Sequence, residues 1–242
     1  MVDSAQYRAA AEDVGWDGAV NARRIIGATY RMGRREWVTA QGWEQMRRAG
    51  VRRVLDLRNP GENRSRPADP RLPEGATAGI EVLNLPLERA GNRRFEKVAV
   101  PYMNHPAMYR LVCEEFPDLM REVFAELSAS TGGVVVHCSA GRDRSGLVAS
   151  LLLDLSGYSE QILPQDEAAT RGINEWHRVS GYRHPHESYQ TPGELEPVIA
   201  DRARALEEFM GWLGGARGFL QGIGVSADEL HALRGTVLAV GR

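Results

Sequence analysis

A predicted strand, a loop of small residues and a predicted helix follow one another between Gly133 and Leu153. The β-branched run Val134 to Val136 is typical of a buried strand, and the apolar run Leu147 to Leu153 is typical of a buried helix. Where the helix begins, unpaired backbone N–H groups and the helix dipole attract an anion. Cys138 and Arg144 lie in the loop with five residues between them. The stretch therefore predicts an anion-binding loop that carries a thiol and a guanidinium.

The residue types in this loop suit phosphoryl transfer. A cysteine thiolate at a helix N-terminus beside an arginine is a strong nucleophile, so Cys138 is the predicted nucleophile. The Arg144 guanidinium can hold two phosphoryl oxygens and stabilise their charge in the transition state. Ser145 follows in the first helical turn, where its hydroxyl is placed to donate to the thiolate as a phosphocysteine breaks down. The residues expected to bind the phosphate are Ser139, Ala140, Gly141, Arg142, Asp143 and Arg144.

The loop resembles the phosphate-binding loop of the cysteine-dependent protein tyrosine phosphatases, His-Cys-x-x-Gly-x-x-Arg-[Ser/Thr], which is here His137 to Ser145. The portion Ala140 to Arg144 is similar to the bacterial tyrosine phosphatase B-type group, which has Lys at the position of Arg142. Other parts of the chain match the pattern of that group: they are Asn21-Ala22-Arg23, Gly27, Tyr30-Arg31, Asp56-Leu57-Arg58, Glu62 and the segment from Phe219 to Arg234.

The resemblance implies a phosphatase that uses no metal and no cofactor and forms a phosphocysteine intermediate. The implied substrates are phosphotyrosine monoesters in phosphoproteins, with phosphoserine, phosphothreonine and phosphoinositide monoesters as further candidates. Arg142 would supply a second cation at the lip of the pocket, which favours multiply phosphorylated headgroups. The implied fold is a protein-tyrosine-phosphatase-like α/β sandwich with a small, mostly parallel central sheet flanked by helices.

The general acid is less clear from the sequence than the nucleophile. The better-known phosphatases of this class carry an aspartate on a separate loop upstream of the cysteine, but residues 97–113 contain no Asp or Glu. Asp143, inside the loop, is the predicted acid and base, and the B-type group also carries Asp there. Its alternative role is structural, as an acceptor of backbone N–H groups at the helix N-terminus. Glu88 is the next candidate for the acid.

Two other functions fit parts of the pattern. The chain could be a phosphate-binding module without turnover, because no upstream acid is evident. A rhodanese-like sulfurtransferase also uses a loop cysteine in an α/β fold, but the spacing to Arg144 and the ending Ser145-Gly146 disfavour it. Release of phosphate against formation of thiocyanate separates the two enzymes.

Composition limits the partners and the compartment. The net charge of −2 gives no bulk attraction to nucleic acid, so none is expected as a partner. The two cysteines, Cys113 and Cys138, make no disulfide framework, which favours a reducing compartment. No run reaches the roughly 18 apolar residues of a membrane span, and the N-terminus has no signal-peptide pattern. The protein is therefore expected in the cytoplasm, or outside the cell by a route that needs no signal peptide.

The composition along the chain predicts a loosely ordered lead-in at residues 1–20, which are polar and rich in alanine and glycine, and one phosphatase domain at 21–242. Predicted strands at 24–30, 51–57, 80–85 and 133–137, separated by helices, favour a mostly parallel sheet. Pro117 is expected to divide a helical region, Pro164 to break a helix over 159–179, and Pro197 to begin another helix. Residues 86–105 have no clear period and are basic, which is compatible with a flap near an anionic ligand or with an ordinary solvated loop.

Overall fold

The computed structural model describes residues 13–99, 103–180 and 187–238. Within them, a five-stranded sheet of order β1-β2-β5-β3-β4 is flanked by helices. The strands are β1 Arg23–Ile26, β2 Thr29–Met32, β3 Val51–Asp56, β4 Glu81–Asn84 and β5 Gly133–His137. Among the five strands that the structure describes, β1 and β2 pair antiparallel, and the pairs β2–β5, β5–β3 and β3–β4 are parallel. The predicted α/β architecture with a mostly parallel sheet is confirmed.

Helices and short 3-10 turns connect these strands. The helices are α1 Ala40–Arg48, α2 Arg93–Glu96, α3 Tyr109–Glu115, α4 Pro117–Ser128, α5 Arg144–Leu155, α6 Ile162–Val179, α7 Pro192–Leu213, α8 Ala216–Gly222 and α9 Ala227–Leu238. The 3-10 turns are Arg35–Trp37, Pro60–Glu62, Pro106–Met108 and Ser159–Gln161. Pro117 divides α3 from α4, as predicted.

Two apolar cores lie on opposite faces of the sheet. Successive residues of a strand point to opposite faces. Accordingly, Val135 joins a core with Trp43 of α1, whereas Val134 and Val136 join a larger core with α3, α4 and α5. The central strand β5 is buried along its whole length. Its C-terminal end is therefore held rigidly between the two layers.

Two predictions about proline were wrong. Pro164 does not break a helix, because α6 begins at Ile162 and the proline occupies the first turn, where no backbone N–H is needed. Pro197 lies inside α7 rather than at its start. The helix begins at Pro192, after a capping box in which Thr191 and Glu194 bind each other's backbone N–H groups.

The described part of the predicted lead-in packs on the sheet. Asp13 forms a β-bridge with Arg23, and Trp16 is buried with its ring centroid 5.0 Å from that of Tyr30. Residues 1–12 of the lead-in lie outside the described residues. Across the described ranges, no helix combines the length and the apolar character that a bilayer crossing requires.

Candidate active site

The loop between β5 and α5 brings the predicted thiol, guanidinium and hydroxyl together. Cys138 follows the last residue of β5, and Arg144 is the first residue of α5. Both are buried, at 2% and 1% exposure. Ser145 Oγ lies 3.7 Å from Cys138 Sγ, within hydrogen-bond range for sulfur. The parallel strands place this loop at the carboxyl edge of the sheet, where the sites of such sheets are found.

Gly141 allows the loop to pack directly on the end of β2. Its φ is +69°, a conformation that residues with a side chain rarely adopt. A Cβ atom there would lie 2.4 Å from the carbonyl carbon of Met32 and 2.5 Å from the nitrogen of Gly33. Both observations require glycine at this position.

Hydrogen-bond donors from outside the loop bind its carbonyl oxygens. The pairs are Arg34 N–H with Ser139 O at 3.0 Å, Asn21 Nδ2 with Ala140 O at 2.9 Å, Arg31 Nη2 with Arg142 O, and Tyr109 Oη with Asp143 O at 2.9 Å. In a planar trans peptide, the C=O and the following N–H point in opposite directions. The N–H groups of Ala140, Gly141, Asp143 and Arg144 therefore point away from these donors, which is the arrangement that binds an oxyanion.

The Arg144 guanidinium is held by two glutamates. Nη1 and Nη2 donate to the two carboxylate oxygens of Glu62 at 2.6 and 2.7 Å. Glu88 Oε1 lies 3.4 Å from Nη1. Glu62 is fixed in turn, because its Oε1 accepts a hydrogen bond from the backbone N–H of Asn59. Two carboxylates thus set the orientation of the guanidinium before any substrate binds.

The Asp143 carboxylate accepts hydrogen bonds from two arginines. Its Oδ1 accepts from Arg202 Nη1 at 2.9 Å, and its Oδ2 accepts from Arg142 Nε at 3.1 Å. Arg142 Nη2 also donates to Glu187 at 3.3 Å. The Arg142 guanidinium therefore lies between two carboxylates, which share its charge.

Glu88 is a buried carboxyl group beside the loop. It is 1% exposed, and its oxygens accept hydrogen bonds from the backbone N–H of Met103 at 3.2 Å and from Asn59 Nδ2 at 3.3 Å. Burial raises the pKa of Glu88, although the nearby Arg144 acts in the opposite direction. The group therefore keeps its proton to higher pH than an exposed glutamate.

A cluster of charged residues supports the loop from the neighbouring strand. Arg58 Nε and Nη2 donate to the two oxygens of Asp56 at 2.8 and 2.7 Å, which makes a buried ion pair. His137 Nε2 is 3.4 Å from Asp56, and its Nδ1 is 3.3 Å from the carbonyl oxygen of Cys138. His137 thus connects the end of β3 to the residue that bears the thiol.

The second cysteine has a different environment. Cys113 is a free thiol in the apolar core, on α3. Burial raises the pKa of Cys113 to about 12, so it stays a neutral thiol near pH 7. Of the two cysteines, only Cys138 lies in the anion-binding loop.

Two basic residues of the segment 86–105, Arg89 and Arg94, contact helices rather than the loop. Arg89 pairs with Asp118 on α4, and Arg94 pairs with Glu114 and Glu115 on α3. The hypothesis that these cations meet an anionic ligand gains no support from their contacts. Residues 100–102 of this segment lie outside the described residues.

Sequence reasoning missed most of the residues that shape the loop. Asn21 and Arg31 appeared only as part of a family pattern, and Arg34, Tyr109 and Arg202 were not singled out. Asn21 is separated by 119 residues from the carbonyl that it binds, so local spacing carried no signal for it. The feature that distinguishes these residues is a buried polar side chain, and burial cannot be read from the sequence.

Comparison with known proteins places these features in context. The sequence pattern of the tyrosine phosphatase family matches residues 14–239. A tyrosine-protein phosphatase of Nostoc commune is 32% identical over 131 residues, which cover 47% of this chain and 42% of the relative. A putative tyrosine-protein phosphatase of Cupriavidus necator is 29% identical over 173 residues, which cover 62% of this chain and 56% of the relative. The matched region thus spans about half the length of these curated relatives.

Two solved structures of one protein are similar to this chain. The crystal structure of P. aeruginosa TpbA has 15% sequence identity and a TM-score of 0.30, with 92% of both chains covered. A cysteine-to-serine variant of TpbA in complex with pTyr has 18% identity and a TM-score of 0.32, with 81% of this chain and 96% of the other covered.

Proposed function

Because the chain belongs to the tyrosine phosphatase family, we propose that it hydrolyses phosphotyrosine monoesters through a phosphocysteine intermediate. The observation that carries the proposal is the position of Cys138, which lies beside Ser145 at the start of the loop. The carbonyl groups of this loop bind donors from the surrounding structure, so the N–H groups that follow them point away from those donors. The curated relatives, which are named tyrosine-protein phosphatases, support the same reaction class.

The reaction has two displacements at phosphorus. The Cys138 thiolate attacks phosphorus, an S–P bond forms, and the bond to the tyrosyl oxygen breaks as that oxygen takes up a proton. Water then attacks the phosphocysteine, gives up a proton, and releases phosphate and the thiolate. Arg144 and the loop N–H groups stabilise the charge on the phosphoryl oxygens in both steps. Ser145 donates to the sulfur as the S–P bond breaks.

Two carboxyl groups compete for the proton transfers. Asp143 lies in the loop, and its contacts with Arg142 and Arg202 hold it in one orientation. Glu88 has a raised pKa, as a general acid near neutrality requires, and contacts Arg144. We assign acid and base to Asp143, because it is part of the loop itself, and keep Glu88 as the alternative.

Phosphoinositide monoesters are the second proposed substrate class, ahead of phosphoserine and phosphothreonine. A cavity of about 250 Å³ opens beside Arg142, between α6 and the start of α7. Its wall includes Thr170, His177 and Glu187. A further phosphate on an inositol ring could replace Glu187 as the anionic partner of Arg142. A flat aryl ring offers Arg142 no anion, so the cavity suits a phosphorylated polar headgroup better.

Replacing the nucleophile tests the proposal. Cys138→Ser should lower the release of phosphate from an aryl phosphate by about 10³-fold or more, because the thiolate is the attacking group. Cys113→Ser, which changes the cysteine in the apolar core, is the matched control and should keep activity. The measurement is phosphate release without added metal, and the urea unfolding transition of each variant is the check on folding. A wild-type protein that binds vanadate without turnover would instead be a binding module, and thiocyanate formation would indicate a sulfurtransferase.

The identity of the acid is tested by the leaving group. An ester with a poor leaving group depends on protonation, whereas p-nitrophenyl phosphate does not. Hydrolysis of the phosphocysteine is the same step for both esters, so the comparison uses kcat/KM, which reports the first displacement. We expect Asp143→Asn to lower kcat/KM for phenyl phosphate by about 10²-fold while affecting p-nitrophenyl phosphate far less. Glu88→Gln, measured in parallel, should affect both esters alike. The opposite pattern would transfer the role of the acid to Glu88.

A further inference from the structure

The guanidinium of Arg202 reaches the phosphate loop from outside it. Arg202 lies on α7 and is 1% exposed. Its Nε and Nη2 donate to the two oxygens of Asp166, on α6, at 2.8 and 2.7 Å. Its Nη1 donates to Asp143 Oδ1 at 2.9 Å. One side chain therefore connects α6 and α7 with the loop.

Asp166 fixes the plane of this guanidinium. Although burial opposes the charged form, Arg202 and other arginines outweigh it and lower the pKa of Asp166. A pair of parallel hydrogen bonds between a guanidinium and a carboxylate fixes orientation as well as charge. The contact from Arg202 to Asp143 thus comes from a donor whose direction is already set.

The other arginine on Asp143 is held less firmly. Arg142 lies in the loop itself, its side chain is 13% exposed, and it divides its hydrogen bonds between Asp143 and Glu187. A residue of the loop moves with the loop. Arg202 is therefore the contact that ties the Asp143 side chain to the surrounding helices.

A buried arginine is weak evidence for stability. Transfer of a charged group from water into the protein costs free energy, and apolar residues of similar volume often make a core that is equally stable. A guanidinium that meets two buried carboxylates, one of them in the loop, instead fixes the geometry of charged groups.

We infer that Arg202 is a positioning residue that sets the orientation of the Asp143 carboxyl for proton transfer. The inference rests on the proposed phosphatase function, and it makes the acid–base step depend on a helix that supplies no residue to the phosphate loop. Tyr109 and Arg31 hold the backbone of the loop by separate contacts. Loss of Arg202 therefore leaves the anion-binding N–H groups in place.

Leaving-group dependence is the readout that separates positioning from support of the fold. Because a misplacement of about 1 Å can cost on the order of 10²-fold in rate, we expect Arg202→Met to lower kcat/KM for phenyl phosphate by about tenfold or more. On p-nitrophenyl phosphate, whose departure needs no proton, the loss should be several times smaller. The inhibition constant of vanadate should stay near the wild-type value.

Three further variants complete the test. In the Asp143→Asn background, Arg202→Met should add no leaving-group-dependent loss, because the group it positions is already absent. Arg204→Met removes an exposed arginine of the same helix, whose partner is Asp201, and should change neither rate. If Arg202→Met fails to fold, Arg202→Lys keeps the charge without the fork and should show the same selective loss.

Each remaining outcome overturns one statement. Equal losses on both esters, a weakened affinity for vanadate, or a further selective loss in the Asp143→Asn background would make Arg202 a structural residue. Wild-type rates in Arg202→Met would remove the inference and leave the phosphatase function standing. A wild-type protein that turns over neither ester would overturn the proposed function itself, and with it the inference.

Discussion

Glu88 combines burial with a direct contact to the guanidinium of the phosphate loop. A carboxyl group whose pKa is raised in the folded state binds its proton more tightly there than in the unfolded chain. At pH values below the unfolded pKa of about 4.3, both states are protonated and the group has no effect. As the pH rises through that value and then through the higher folded pKa, the unfolded state gains the advantage.

The free energy of unfolding should therefore depend on pH through Glu88. Relative to Glu88→Gln, which cannot ionise, the wild-type protein should lose stability as the pH rises from about 4 toward neutrality. Urea unfolding of both proteins at several pH values measures the difference. A difference between the two proteins that is constant with pH would show that Glu88 ionises alike in both states.

The sequence predicted single residues where the chemistry depends on local spacing. Cys138, Arg144 and Ser145 lie within one strand–loop–helix unit, so their proximity follows from a pattern of a few residues. The two carboxylates on Arg144 could not be paired with it in this way, because Glu62 is 82 residues away along the chain. The contacts of Glu62 and Glu88 with Arg144 depend on where β3 and β4 lie in the sheet, which no local pattern specifies.

At the scale of elements, the loop between β5 and α5 depends on contact with the end of β2. Gly141 makes that contact with a positive φ and with no space for a Cβ atom. Gly157 also has a positive φ, of +82°, but nothing lies within 4 Å of its Cβ position. A side chain at Gly157 would meet only the backbone strain of a positive φ, whereas a side chain at Gly141 would meet that strain and a steric clash as well.

Alanine substitution at these glycines should give unequal losses. Gly157→Ala should lower the free energy of unfolding by about 1–2 kcal/mol, the cost of a side chain in the left-handed region. Gly141→Ala should cost clearly more and should also abolish vanadate binding, because the loop has to move away from Met32 and Gly33. Urea unfolding and vanadate titration measure both effects. Equal losses with intact binding would show that the loop tolerates the displacement.

Element types were easier to predict than element boundaries. The strand β5 and the helix α5 follow from runs of apolar residues. The Thr39 side chain caps α1, which begins at Ala40, by accepting a hydrogen bond from the Gly42 N–H. The predictions from proline were wrong because proline interrupts the middle of a helix but is tolerated in its first turn. Pro164 occupies such a first turn. Thr191-Pro192 with Glu194 was the better signal for the start of α7.

At the scale of the whole molecule, the parallel sheet gathers the site. The C-terminal ends of β2, β3 and β5 meet at one edge, which brings Arg34, Asp56 and Cys138 to the same side. The α/β class followed from the order of predicted strands and helices. The strand order did not, since it depends on packing between distant segments.

The carbonyl anchors of the loop come from widely separated parts of the chain. Asn21 and Arg31 bind carbonyls that lie 119 and 111 residues later, and Tyr109 binds one 34 residues later. Contacts of such long range require large loops to close, which costs chain entropy. A chain in which these contacts have not formed carries the cysteine without an oxyanion pocket. Grafting the loop alone onto another strand and helix would transfer the thiol but not the side chains that bind the loop carbonyls. Those carbonyls could then turn inward, so transfer of the pocket requires the rest of the domain.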